Sequence, residues 1–184
     1  MSIIDAPPET LLVIDTVIFS HLRNERSQVK NEQSYVKREI AKYFSNTKSF
    51  PAISSMTIFE ANYGIENQLA QPNSNIQSEK ADEFRQTINN ALSQISIILP
   101  FNQRAAEIAA YIYAHLLVNE KKWLQARKAK KKKGNREAKI WQDVFIISTA
   151  LSHNYGLASQ DTDIEVIAKY LPNGLDLRLA IWKP

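Results

Sequence analysis

The chain contains no cysteine among its 184 residues. That excludes a disulfide framework, a thiolate zinc site and a thiol nucleophile, so any metal must be held by oxygen or imidazole. Histidine is nearly absent as well: His21, His115 and His153 are scattered, which argues against zinc. The four glycines are Gly64, Gly134, Gly156 and Gly174, and none follows the first apolar strand. A phosphate-cradling loop of the nucleotide-binding kind therefore has nowhere to form, and the nucleophile elbow of a serine hydrolase is missing. No run of about 18 apolar residues is available to span a bilayer. The opening MSIIDAPPET also lacks the basic and apolar regions of a secretion signal, so a soluble, cytoplasmic protein is expected.

What is present is an ordinary globular composition, 44% apolar, which suffices for one domain with a three-layer core. The net charge of +4 hides an asymmetry. From Lys121 to Lys139 ten Lys or Arg stand against one Glu, a local charge of +9, which leaves 4 minus 9, or −5, for the rest. An acidic body with one basic insertion at about 121–139 suggests a polyanionic partner that approaches from one side. Lys128, Lys130, Lys131, Lys132, Lys133 and Arg136 are the candidate contacts to the phosphate backbone of such a partner. Lysine runs carry no base-specific information, so they would supply salt-dependent affinity and not sequence choice. The competing reading is a solvated lysine-rich spur.

Residues 1–10, with Pro7 and Pro8, read as a flexible leader, and 11–184 as a single domain. LLVID is a continuous apolar run of strand length, typical of a central parallel strand, and Asp15 ends it. In open α/β sheets ligands bind beyond the carboxyl ends of the strands, although Asp15 would equally serve to cap the next helix. FPAIS and ISIILP read as two further strands, and LDLRLAIW as a closing edge strand. Ser54 or Ser55 caps a helix that carries Glu60, whose position one turn on is Gly64 instead of a counter-charge. The aromatic residues of the long helix near its end, Tyr111, Tyr113 and Trp123, read as packing and not as a base-stacking platform.

The helix through VFIISTAL is apolar almost all round and should be buried, yet it contains Asp143. Gly156 is expected to close it in a left-handed cap, with a short strand LAS leading to Asp161. Thr162 and Glu165 fit a capping box that gives Asp163 a structural place, whereas Asp161 has none. Asp15, Glu60, Asp143 and Asp161 can thus converge at one edge of a parallel sheet. Carboxylates brought together that closely repel, and protonation or a divalent cation relieves them. All-oxygen ligands favour Mg²⁺ or Mn²⁺, which activate water for attack on phosphorus.

LLVIDTVIF, PAISSMTIFEANYG, ILPFNQRAAEIAAYIYAHL and DVFIISTALSHNYGLASQDTDIEVI resemble, in this order, the successive motifs of PIN-domain ribonucleases, most of all VapC-type toxins of toxin–antitoxin pairs. The resemblance covers most of Leu11 to Ile167. It implies a three-layer α/β/α PIN-like domain with a mainly parallel central sheet, and Mg²⁺- or Mn²⁺-dependent endoribonuclease activity. It also implies a homodimer and a cognate antitoxin protein as partner. By that likeness Asp15, Glu60, Asp143 and Asp161 are the metal-binding, catalytic residues, supported by Thr16, Ser159 and Asp163. Ile164 stands where the family usually has Phe, and Ser148 where it usually has Ala. The alternative is a PIN-like module that binds RNA or a protein without cutting.

Overall fold

The computed structural model describes residues 3–23, 30–70, 78–122, 137–161 and 163–182. The lysine-rich contacts named above, together with Trp123 and Thr162, lie outside the described residues. Six strands form one sheet: β1 (Ile3–Asp5), β2 (Leu12–Ile14), β3 (Ala52–Ser54), β4 (Ile98–Leu99), β5 (Gly156–Ser159) and β6 (Leu177–Ile181). Their order is β1-β6-β5-β2-β3-β4, and every neighbouring pair is parallel. The chain leaves β2 toward β3 and β4 on one side and returns through β5 and β6 on the other. The switch point of the sheet therefore lies at β2, above whose carboxyl end a crevice must open.

Successive strand residues face opposite sides of the sheet, and the core divides accordingly. Val13, Ala52, Leu157 and Leu179 face a layer made by α5 (Gln103–Asn119), α6 (Glu137–Ser152) and α7 (Asp163–Ile167). Leu12, Ile14, Ile53 and Ala158 face α1 (Thr16–Arg23), α2 (Lys30–Thr47), α3 (Ser55–Leu69) and α4 (Ser78–Leu92). The architecture is three-layer α/β/α. Among the described residues no helix is long and apolar enough to cross a membrane.

Three expectations are corrected. Ile3–Asp5, assigned to a flexible leader, is an edge strand because β6 supplies its pairing partners, Ile3 with Leu177 through Asp5 with Leu179. Strand β6 is for that reason not an edge but lies between β1 and β5. The left-handed residue after α6 is Asn154 (φ 60°), a residue that tolerates this conformation, and not Gly156. Gly156 opens β5 instead, where a Cβ would stand 2.8 Å from the Arg178 carbonyl oxygen and 2.8 Å from Leu12 Cδ2.

Candidate metal centre

Register builds the centre. Ile14 pairs with Ala158, so Asp15 and Ser159, the next residues on adjacent parallel strands, emerge side by side at the carboxyl edge. Ser159 Oγ donates to Asp15 Oδ2 at 2.5 Å, and the Gln160 N–H points at the same oxygen at 3.4 Å. The other oxygen, Oδ1, accepts the Ile18 N–H at 2.7 Å, which makes Asp15 the N-cap of α1 as well. Asp15 thus stands at the carboxyl end of its strand and caps the next helix. The residue is only 4% exposed, and burial pushes its carboxyl up to about 6; the three donors pull it down and Asp161 raises it further.

Asp161 belongs to the same cluster. Its N–H donates to Ser159 Oγ at 2.9 Å, and its Oδ1 accepts the Asp163 N–H at 2.8 Å. Asp161 thus has a structural task at the start of α7, contrary to the expectation that it has none. Glu60 is held from the other side, since Thr16 Oγ1 donates to its Oε2 at 2.7 Å. Ser54 caps α3 through the Met56 N–H, and this fixes where that helix starts and which turn carries Glu60. Asp143 lies nine residues before the end of α6, about 14 Å along the helix, roughly level with the carboxyl end of the strand it precedes. Its Oδ2 is shielded from solvent.

The structure therefore joins Asp15, Ser159 and Asp161 directly and ties Glu60 to them through Thr16, the neighbour of Asp15. Asp163 contributes its backbone N–H. Among the described residues no three Asp, Glu or His side chains stand close enough to share one ion, so the four acids are not drawn up as a closed cage. Mg²⁺ does not need one: it is commonly held by one or two carboxylates and keeps several waters. A carboxylate has about four acceptor sites, and Asp15 uses three of them, so capacity for a cation remains. The donor set fits a hydrated hard dication at Asp15 and Asp161.

Residues not singled out beforehand also border this region. Gln160 contributes a backbone donor to Asp15. Arg23 faces a cavity of about 270 Å³ next to Glu60, with its Nε shut off from solvent and, among the described residues, without an acceptor. Burial pushes its guanidinium down from the ordinary arginine range. Its helical spacing from Thr16 was the available signal, since the two stand seven residues apart on one face of α1.

A VapBC2 complex from Rickettsia felis bound to a promoter DNA fragment superposes with a TM-score of 0.59 at 18% identity, over 94% of this chain and 99% of that one. The fold is PIN-like. DNA-bound VapBC from Salmonella typhimurium shares this PIN-like arrangement at a TM-score of 0.55 and 19% identity, over 95% and 99% of the two chains. FitAcB from Neisseria gonorrhoeae does so at 0.55 and 18%, over 95% and 98%. No protein-family model and no curated protein matches the chain. At these identities the similarity establishes the PIN-like fold, as the sequence motifs led one to expect, and the fold alone.

Proposed function

We propose that this chain is the toxin of a toxin–antitoxin pair and acts as a Mg²⁺- or Mn²⁺-dependent endoribonuclease. The observation that carries the reading is Asp15, a buried acid at the switch point of the sheet, bonded to Ser159 and adjacent to Asp161. The fold shared with the toxin–antitoxin complexes from Rickettsia felis and Salmonella typhimurium supports the biological class. Asp15 and Asp161 would hold the ion, with Glu60 and Asp143 completing its surroundings. When bound, the ion supplies a water of lowered pKa and neutralises charge on the leaving oxygen.

The chain's own residues do the rest. Ser159 and the Ile18 N–H fix both oxygens of Asp15, so the carboxylate is oriented before any ligand arrives. Thr16 holds Glu60 against the same edge by donating its hydroxyl to Oε2. The basic insertion holds the RNA backbone, and an antitoxin and a second copy of the chain are the expected protein partners.

Asp15→Asn and Asp143→Asn test the reading. Each should abolish metal-dependent cleavage of total RNA and leave RNA binding intact. Wild-type protein that binds RNA tightly yet produces no metal-dependent cuts would instead be a non-cleaving PIN-like module.

A further inference from the structure

The cavity beside Glu60 is built by two helical stripes. Thr16, Phe19 and Arg23 recur along one face of α1, and Glu60, Gly64 and Gln68 recur every four residues along α3. Phe84 of α4 closes it with a half-exposed ring. Three features of this cavity are not required by the packing. The Arg23 Nε–H is a buried donor with no acceptor among the described residues, which costs stability in a finished core. A Cβ at Gly64 would meet nothing within 4 Å, so the space in front of it is open. Helical interiors also disfavour glycine, and close packing gives no reason for it here.

We infer that this cavity receives a nucleobase of the RNA, next to the bond that is cut, and sets base preference at that position. The inference rests on the nuclease reading for the identity of the substrate. Sequence-specific recognition of single-stranded RNA places unstacked bases against aromatic rings and guanidinium groups and bonds their edges. Phe84 offers the ring, the Arg23 guanidinium, which lines the cavity, a positive plane against which a base can stack, and the Gln68 amide a group that can donate or accept. Glu60 stands in the cavity wall and in the proposed metal centre at once, through its bond to Thr16. A base seated here would lie beside Glu60, the acid that borders the proposed metal centre. The basic insertion supplies affinity without choice of sequence, and this cavity supplies the choice.

Gly64→Met tests the inference by filling the cavity from a position where the backbone has room. Cleavage sites are mapped on a randomised RNA pool with the full chain and Mn²⁺, and the preference at each position beside the cut is compared within the same pool. Wild type should favour a base at one position, and Gly64→Met and Arg23→Gln should reduce that preference on the order of tenfold, the scale of one stacked base, relative to the other positions. A second readout needs no activity: the Arg23 Nε–H NMR resonance should move on addition of nucleoside monophosphates to wild type, and remain still in Gly64→Met. An unchanged preference profile in a folded Gly64→Met that cuts RNA overturns the base site and leaves the nuclease reading standing. No cleavage by wild type, with the resonance moving and blocked by Gly64→Met, sinks the nuclease reading and keeps the cavity as a base site. If Gly64→Met weakens only capture of an antitoxin, the cavity belongs to the protein partner and the inference is overturned.

Discussion

Replacing Asp15 by Asn removes a charge from a buried place while keeping the shape of the side chain, and the stability change can be worked out in sign. The folded carboxyl titrates at about 6, against 3.8 for an ordinary aspartate, so ionising it in the fold costs about 3 kcal/mol more than in the unfolded chain. The stabilisation conferred by the protonated form is complete below 3.8 and is lost as pH rises through about 6. Asn avoids that cost. It still accepts the Ile18 N–H, but its NH₂ would replace the oxygen that receives the Ser159 hydroxyl and the Gln160 N–H. Loss of those bonds returns roughly 1–2 kcal/mol. In EDTA at pH 8 Asp15→Asn should therefore be more stable than wild type by about 1–2 kcal/mol. At pH 4 the order should reverse. Urea unfolding of both proteins from pH 4 to 8 measures the difference. A difference that does not vary with pH, or a variant less stable by several kcal/mol at pH 8, would refute the claim that burial dominates at this acid.

Metal binding should show the opposite pH dependence, since Asp15 must be ionised to hold a cation: below about 6 the Mn²⁺ concentration needed for half-maximal thermal stabilisation should rise about tenfold per pH unit. A midpoint that is constant from pH 5 to 7, or retained in Asp15→Asn, would remove Asp15 from the centre. Converting Lys130, Lys131, Lys132 and Lys133 to Ala should flatten the salt dependence of RNA affinity by about 0.7 of log–log slope for each phosphate no longer neutralised, and an unchanged slope would make the stretch a solvated spur. Ser148 is fully buried and its Oγ has no hydrogen-bond partner among the described residues, so Ser148→Ala should raise stability by about 1 kcal/mol in denaturant unfolding.

The parts of the fold legible in the sequence are those specified by local chemistry. LLVID reads as a central strand because nothing polar interrupts it, and Leu12, Val13 and Ile14 are indeed covered on both faces. Ser54 is readable as a cap because its hydroxyl serves its own helix. The parts that the residues do not disclose depend on partners far along the chain. Nothing in Ile3–Asp5 announces a strand, since its pairing comes from residues about 170 positions later. Gly156 looks like a helix terminator, and only the backbone of β6, at Arg178, reveals that it is needed for close approach. Among the acids, Asp15 follows from its strand, whereas the bond from the Asp163 N–H to Asp161 depends on a turn whose geometry the residue types leave open. The cavity at Arg23 requires three helices to be placed before it exists.

The acids also differ in how firmly they are held, and this bears on why no closed cage forms among the described residues. Asp15 is gripped by three donors, two of them backbone N–H groups and the third a side chain rooted in β5, so the sheet fixes its position whether or not a ligand is present. Its desolvation is offset by the fold as a whole, in the way functional sites commonly carry a local cost. Glu60 receives a hydroxyl bond from Thr16 at the end of a flexible side chain on α3. Under the proposed reading, a hydrated ion that keeps its waters and needs few carboxylates would suit such an arrangement, placed by the rigid acid and met by the more adjustable one. Thr16 is then the residue through which the two meet, because it follows Asp15 in the chain, bonds Glu60 and lines the adjoining cavity. Thr16→Val should leave Asp15 in place yet remove the hydroxyl bond that orients Glu60, so the affinity for metal should change less than the efficiency of cleavage. Equal losses in both would mean that Glu60 is as much a fixed ligand as Asp15.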